Sequence, residues 1–159
     1  MANVIIIGDG PAGLSAALFL AKKELDVTVF GKDETPMHYA MLYNYLGIPE
    51  ITGSDFQKVA REQVTGFGAK LNDVAVTNLE KTASGFAATT EDGGRYESKY
   101  VIIAEGKGLK LADSLGLAKT KTGVEVDHDG RTAIDGLYVV GRSARIQRSQ
   151  AIISAGLGA

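Results

Sequence analysis

Three glycines near the amino end of the chain have the spacing of a phosphate-binding turn. Gly8, Gly10 and Gly13 form Gly-x-Gly-x-x-Gly, with Pro11 and Ala12 between the last two. In such a turn the first glycine allows the tight bend, the second lets a pyrophosphate approach the backbone, and the third lets helix and strand touch. Pro11 suits a first helical position, where the amide has no internal partner. The free amides and the positive helix end then form an anion site, so the predicted chemistry is binding of a dinucleotide.

The stretches on either side of the turn predict the elements that would position it. Residues 3–7 are a mostly β-branched run, typical of a strand buried on both faces of a parallel sheet. Residues 14–25 repeat apolar side chains at helical spacing, and residues 27–30 form a second apolar strand. Together they predict a βαβ unit, in which the glycine spacing is strong evidence. An ordinary tight turn without a ligand is the alternative.

The middle of the chain predicts a second helix and a small antiparallel meander. The helix opens at Thr52, with Ser54 and Gln57 matching a capping box, and ends at Gly66 and Gly68. Its predicted buried stripe consists of Phe56, Val59, Ala60, Val64 and Phe67. Short strands are expected at residues 69–71, 74–79, 86–90 and 95–99, the last two joined by a glycine turn.

Two further buried strands, residues 100–104 and 137–141, predict a return to the parallel sheet. The first ends in a second glycine-rich turn that contains Gly106, at the sheet edge where α/β proteins bind ligands. A short helical turn is expected within residues 109–121 and a short strand at 124–126. A closing helix over residues 150–157 is expected to be capped by Ser149. The predicted fold class is therefore α/β: a Rossmann-like domain with a central parallel sheet, helices and a small antiparallel meander.

Composition excludes several functional classes. A length of 159 residues indicates a single domain, and a net charge of −2 with scattered basic residues gives no footprint for nucleic acid. No apolar run is long enough to span a bilayer, so no membrane partner is expected, and a start without a signal peptide predicts the cytoplasm. Without cysteine there is no disulfide framework, thiolate metal site or thiol catalysis. No metal site is expected, and an isolated His38 indicates a surface or packing residue.

Several stretches in order resemble the flavin domain of thioredoxin reductase and related pyridine nucleotide-disulfide oxidoreductases. They are GDGPAGLSAALFLAKKELDVTVF (8–30), NYLGIPEITGSDFQKVAREQVTGFGAKL (44–71), VIIAEG (101–106), DHDGRTAIDGLYVVG (127–141) and SQAIISAGLGA (149–159). The resemblance implies one FAD-binding domain over residues 1–159, whose two halves are residues 1–106 and 123–159. The family inserts an NADPH domain with its redox cysteines between these halves, whereas here a short piece joins them. Thioredoxin reduction by the family mechanism is therefore not expected.

The resemblance also implies which residues hold the cofactor. The first glycine turn, from Gly8 through Gly10, Pro11 and Ala12 to Gly13, would face the FAD pyrophosphate. Asn44 matches an Asn in the family's loop near the flavin. The start of the closing helix, at Ser149, Gln150 and Ala151, would meet the pyrimidine edge of the isoalloxazine through its backbone and stabilise negative charge on the reduced flavin.

Three departures from the family pattern concern the same cofactor. Gly31 and Lys32 follow the second strand, where the family places an acidic residue that holds the adenosine ribose; Asp33 and Glu34 are possible substitutes from the loop. The second glycine turn contains Glu105 where the family usually has Thr. Gly141 is followed by Arg142, where the family has an Asp that binds the ribityl chain. Cations at these two positions indicate either contacts to phosphate or ordinary solvated side chains.

The leading interpretation is a small FAD-binding oxidoreductase that uses flavin as its redox centre, with electrons from free NAD(P)H or a redox partner protein. We expect a homodimer by analogy with the family. No side chain is predicted to act as acid, base or nucleophile. Two alternatives remain open. One is a non-catalytic nucleotide-binding or interaction module with a degenerate flavin site, and the other is an NADP(H) binder with Lys32 near the 2′-phosphate.

Overall fold

The structure, a computed structural model, describes residues 2–159. Strands alternate with helices at the amino end and dominate the middle of the chain. The strands are β1 Ala2–Ile7, β2 Val27–Phe30, β3 Met41–Leu42, β4 Ile51–Thr52, β5 Lys70–Asn72, β6 Val76–Lys81, β7 Phe86–Thr90, β8 Arg95–Ile103, β9 Lys119–Thr120, β10 Gly123–Val124 and β11 Leu137–Val139. The α-helices are α1 Pro11–Ala21, α2 Gly53–Gly66, α3 Lys110–Ser114 and α4 Ala151–Gly158, and 3-10 turns cover Pro36–Tyr39 and Gly141–Ser143.

Within residues 2–159 the main sheet has seven strands, in the order β5-β2-β1-β8-β7-β6, with β11 also paired to β8. The β1, β2, β5, β8 and β11 pairings are parallel, while β6, β7 and the first half of β8 form the antiparallel meander. Ile5 and Ile6 of the central strand are fully buried on opposite faces. The predicted fold class is confirmed. No helix in the described part of the chain is both long and apolar enough to cross a membrane.

One continuous strand, β8, replaces the two strands predicted at residues 95–99 and 100–104. Its first half pairs antiparallel with β7, and its second half pairs parallel with β11, while β1 runs along its other edge. The prediction divided it because the first half is largely exposed and the second half is buried. This strand joins the meander to the parallel sheet, and its end lies between the ends of β1 and β11.

The second helix opens at Thr52 as predicted, but its capping contacts and its buried face differ from the prediction. Its amino-terminal cap is Thr52, whose hydroxyl accepts the Asp55 amide at 3.1 Å, so the Ser54–Gln57 capping box is wrong. Val59 and Phe67 of the predicted stripe are exposed, while Gln57 is fully buried. The polar residue lies inward because this face of α2 packs against the backbone of the glycine turn, where an amide side chain finds an acceptor.

The pairing of β5 and the cap of the closing helix also differ from their predictions. The strand predicted at 69–71 is β5, which pairs parallel with β2 at the sheet edge and lies outside the meander. The closing helix is capped by Gln150, which adopts an extended conformation and makes no side-chain cap bond, so the prediction of Ser149 as the cap is wrong. Helix α4 packs extensively on α1, and a Cβ at Gly158 would overlap the Ala12 carbonyl oxygen.

The segment between Ala104 and Gly123 is part of the core. Leu109, Leu111, Ala112 and Leu117 are buried in the same cluster as Ile5 and Val101. The carboxylate of Glu105 accepts the amides of Leu111 and Ala112, at 3.2 and 3.1 Å, and so caps α3. Residues 104–123 therefore fold as a packed segment that closes one side of the sheet.

Replacing Gly13 by Ala should strongly destabilise the protein. A Cβ at Gly13 would overlap the Gly8 carbonyl oxygen, so strand and helix would have to separate, at about 3 kcal/mol of unfolding free energy. The matched control is Gly156→Ala in α4, where a Cβ meets nothing within 4 Å and should be neutral or stabilising by up to about 1 kcal/mol. Urea unfolding followed by circular dichroism measures both, and equal stabilities would contradict this account of the Gly8–Gly13 contact.

Candidate functional site

A cavity of about 290 Å³ lies at the carboxyl ends of β1 and β8, beside the turn that follows β11. Its walls come from the glycine turn, the loop after β2, the second glycine turn and Arg142. The lining residues are Gly8, Asp9, Gly10, Pro11, Ala12, Glu34, Thr35, Pro36, Ala104, Glu105, Gly106, Lys107, Arg142 and Ser154. This is the edge at which open α/β sheets bind ligands.

A second cavity, of about 210 Å³, lies on the other side of the glycine turn. It is lined by Gly31 and Lys32 at the end of β2 and by Ala75 and Val76 before the meander. It shares four lining residues with the first cavity: Gly8, Asp9, Glu34 and Glu105. We call the two cavities together the glycine-turn cleft. The cleft offers space on both sides of the turn, as an extended dinucleotide requires.

The glycine turn itself leaves room for an anion. Gly8 has φ +109° and a Cβ there would overlap Ala104 O, so only glycine fits between the two turns. Helix α1 begins at Pro11 without a side-chain cap or an acidic residue in its first turn, so no side chain occupies its amino-terminal amides. A Cβ at Gly10 would meet only Thr35 Oγ1, at 3.5 Å. The space over Gly10 is therefore open. Gly13, by contrast, does not line the cleft and serves the packing of α1 on β1.

Residues from the first and last parts of the chain meet at this turn. Gly141, at φ +65°, lies so close to Ala12 that a Cβ would approach the Ala12 methyl to 2.6 Å. The hydroxyl of Ser143, which is fully buried, donates to Gly106 O at 2.9 Å. These contacts fix the turns after β8 and β11 against the start of α1. The cleft is thus built by residues far apart in sequence.

Asp9 lies at the centre of a buried polar network that sequence analysis missed. Its side chain is 8% exposed, and Oδ2 accepts both the Asp33 amide, at 2.9 Å, and Arg61 Nη1. The Gln57 side chain donates to the Asp9 carbonyl oxygen. Burial raises the pKa of the Asp9 carboxyl above its ordinary value, although the Asp33 amide and Arg61 oppose that rise. The network holds the glycine turn against both α2 and the loop after β2.

Lys32 and Arg142, the cations that stand where the family pattern has acidic residues, differ in their surroundings. Lys32 is 40% exposed and lies 3.4 Å from Glu91 and 3.9 Å from Glu34, so carboxylates already neutralise it. Arg142 lines the larger cavity, and its Nε is buried without a hydrogen-bond partner anywhere in residues 2–159. A buried donor without a partner is costly unless a ligand supplies an acceptor. Of the two residues, Arg142 is the better candidate for an anion contact.

The structure separates other predicted site residues from the cleft. Asn44 is exposed and lies beside the turn closed by the Tyr45–Ile48 bridge. Ser149 and Gln150 are exposed and Ala151 is half-buried, and none of the three lines the cleft. Ser154, one turn into α4, does line it. The cleft therefore reaches α4 through Ser154, and the first turn of that helix carries no acidic residue.

His38 is not isolated in the structure, because an acidic side chain of the loop after β2 lies beside it. Its Nε2 lies 3.1 Å from Asp33 Oδ1 and its Nδ1 lies 2.9 Å from Ser54 Oγ. Neither His38 nor Ser54 lines the glycine-turn cleft. The contacts fasten the loop after β2 to the start of α2. In the described residues no group of three or more His, Cys, Asp or Glu side chains is arranged to hold a metal ion.

Comparison with known families agrees with this site. The model of the pyridine nucleotide-disulphide oxidoreductase family matches residues 2–108, so the chain belongs to that family. A thioredoxin reductase of Helicobacter pylori is 36% identical over 115 residues, which is 69% of this chain and 37% of the relative. A ferredoxin–NADP reductase of Lactococcus lactis is 29% identical over 128 residues, which is 76% of this chain and 40% of the relative. The chain thus spans less than half the length of these curated relatives.

Solved structures share the fold at low sequence identity. An atypical thioredoxin reductase from Desulfovibrio vulgaris Hildenborough superposes with a TM-score of 0.92 at 18% identity, covering 99% of this chain and 94% of that chain. A ferredoxin-flavin thioredoxin reductase from Clostridium acetobutylicum gives a TM-score of 0.85 at 19% identity, covering 99% and 93%. The fold therefore matches over nearly the whole chain, including the segment after residue 108.

Breaking the Asp9–Arg61 pair should cost far more stability than breaking a surface pair. Arg61→Met leaves the largely buried Asp9 carboxyl without its cation, and we expect a loss of about 3 kcal/mol in unfolding free energy. Arg95→Met removes the Glu80 pair, whose two side chains are about half exposed, and should cost much less. Urea unfolding of both variants tests this, and a loss for Arg61→Met no larger than that of the control would refute a structural role for the network.

Proposed function

We propose that the glycine-turn cleft binds FAD, with the pyrophosphate over Gly10 and the start of α1. The observation that carries this proposal is the open space at Gly10 together with the uncapped amino end of α1. That end has neither a side-chain cap nor an acidic first turn, as an anion site requires. Family membership supports the choice of a dinucleotide, and the two cavities on either side of the turn give it space.

The residues present fit this cofactor at its phosphates. Arg142 lines the cavity beside the turn, and its partnerless Nε is a donor that a phosphate or ribityl oxygen would satisfy. Lys107 lines the same cavity and adds positive charge. When bound, FAD supplies the electron transfer, and the chain binds it, orients it and sets the charge around it.

We further propose that residues 1–106 and 123–159 correspond to the two halves of the family's split flavin domain. The junction between them supports this, because β11 pairs with β8 and Ser143 bonds Gly106 across the two halves. The packed segment after Glu105 closes the sheet at the position where the halves are joined. The two halves would thus form one cofactor site.

Electrons would come from free NAD(P)H or from a redox partner protein. Direct binding of NADP(H) in the cleft is less well supported, since Glu34 and Glu91 surround the amino group of Lys32 and would repel a 2′-phosphate.

The absorption spectrum of the purified protein, before and after incubation with FAD, tests the proposed cofactor. We expect a yellow protein whose flavin bleaches under anaerobic conditions with NADH or NADPH. A yellow protein that does not bleach would require a partner protein as electron donor. A protein that stays colourless after incubation with FAD would refute the flavin proposal and favour a non-catalytic module.

Replacing Gly10 by Val should abolish flavin binding without unfolding the protein. The new side chain fits the unliganded structure but occupies the space assigned to the pyrophosphate, so we expect at least a 100-fold loss of FAD affinity. Gly66→Ala, at a position where a Cβ meets nothing within 4 Å, is the control and should bind FAD normally. Flavin fluorescence measures affinity, and circular dichroism checks the fold. If Gly10→Val retained its affinity for FAD, the pyrophosphate could not lie over Gly10.

The expected homodimer remains a prediction from the family resemblance. Analytical ultracentrifugation of the purified protein at several concentrations would test it, with and without FAD. A monomer at all concentrations would contradict it.

A further inference from the structure

The end of β2 lacks the acidic residue that usually binds the adenosine ribose in dinucleotide folds. Gly31 occupies that position, and the two acids that follow it are engaged elsewhere. Asp33 Oδ1 bonds His38 Nε2 at 3.1 Å, and Glu34 is 76% exposed beside Lys32. Neither is placed at the end of the strand. Glu34 lines both cavities of the cleft, but its side chain is largely exposed, so an acceptor fixed at the strand end must come from another element.

A carboxylate does lie at the end of β2, and it comes from the glycine turn. A Cβ built on Gly31 would overlap the Asp9 carboxyl group, with Oδ1 and Cγ as its nearest neighbours. Asp9 therefore occupies the first part of the space that a side chain at position 31 would fill. The two residues are complementary: only glycine at position 31 leaves room for an acid at position 9.

The carboxyl has one oxygen engaged and one available. Oδ2 accepts both the Asp33 amide and Arg61 Nη1, whereas no other residue in 2–159 hydrogen-bonds Oδ1. Asp9 lines both cavities of the cleft, and Gly31 lines the smaller one beside it. A ligand in the smaller cavity can therefore reach a fixed acceptor there.

We propose that Asp9 is the ribose-binding acid of this protein. The acid lies in the glycine turn and not at the end of β2, and Gly31 at the strand end leaves the space that its carboxyl occupies. The proposal rests on FAD binding in the glycine-turn cleft. The adenosine ribose hydroxyls would donate to Asp9 Oδ1, while the space above Gly10 receives the pyrophosphate.

Arg61 makes this placement compatible with a phosphate nearby. An acid inside the glycine turn would repel a pyrophosphate if its charge were uncompensated. Arg61 pairs directly with Asp9, and Gln57 holds the Asp9 backbone, so the carboxyl is fixed and part of its charge is compensated. The same guanidinium also pairs with Asp73, so its charge is shared between two carboxylates. The buried pair thus keeps the acceptor while reducing its repulsion.

Competition with bound FAD tests the proposal through the ribose hydroxyls alone. Flavin fluorescence gives the inhibition constants of ADP and of 2′,3′-dideoxy-ADP, which lacks both hydroxyls. In the natural protein we expect ADP to bind about 10- to 100-fold more tightly than the dideoxy analogue, as for a hydrogen bond to a charged acceptor. The ratio of the two constants cancels general losses of affinity that follow from reduced stability.

Three variants test whether that ratio depends on Asp9. Asp9→Gly should reduce the preference for ADP to less than about threefold, and the double variant Asp9→Gly/Gly31→Glu, which returns the acid to the strand end, should restore it. Asp9→Asn gives a second measurement that keeps the shape of the side chain, and it should also lower the preference because the acceptor loses its charge.

The outcomes distinguish failure of this inference from failure of the FAD proposal. If the natural protein binds no FAD, the proposed function fails and this inference fails with it. If FAD binds but Asp9→Gly and Asp9→Asn keep the full preference for ADP, FAD binding stands and the assignment of Asp9 is overturned. An equal affinity of the natural protein for both nucleotides would overturn it as well.

Discussion

The arrangement of the cleft depends on one buried interaction, the pairing of the Asp9 carboxylate with Arg61. Asp9 lies in the phosphate-binding turn and Arg61 in α2, and the same carboxylate accepts the backbone amide of Asp33 in the loop after β2. Three separate segments are therefore fixed by one side chain. Because the pair is largely buried, losing Arg61 would leave the Asp9 carboxylate without its cation, and this makes the geometry of the turn specific.

Close backbone contacts provide the second constraint. Gly8 touches Ala104, Gly13 touches Gly8, and Gly141 touches Ala12, in each case at a distance that excludes a Cβ. These contacts draw the ends of β1, β8 and β11 together around the start of α1. Strand β8 makes this possible because it pairs with β1 on one edge and with β11 on the other. A cleft built from residues far apart in sequence follows directly from that pairing.

The elements whose signal is local were predictable from sequence. β1, α1 and β2 follow from apolar runs around a glycine spacing, and they occur where expected. Strand β8 was divided in two because its exposed first half and buried second half have different hydrophobic patterns. The inward face of α2 was misassigned for another reason: Gln57 and Arg61 face a polar backbone and a carboxylate some fifty residues earlier, and hydrophobic periodicity carries no information about such partners.

The site was harder to predict because its chemistry depends on complementary space. In the sequence, Gly31 by itself indicates that the contact of a strand-end acid with the ribose is lost. Asp9 by itself is an ordinary acid between two glycines. Only the three-dimensional arrangement shows that the missing side chain at one position makes room for the carboxyl at the other. The same reasoning applies to Arg142, whose buried Nε without a partner marks it as a donor awaiting an acceptor. Relative to the pattern that the family resemblance implies, the acid at this edge of the sheet lies in the glycine turn and not at the strand end, and a cation lines the cavity where an acid was expected.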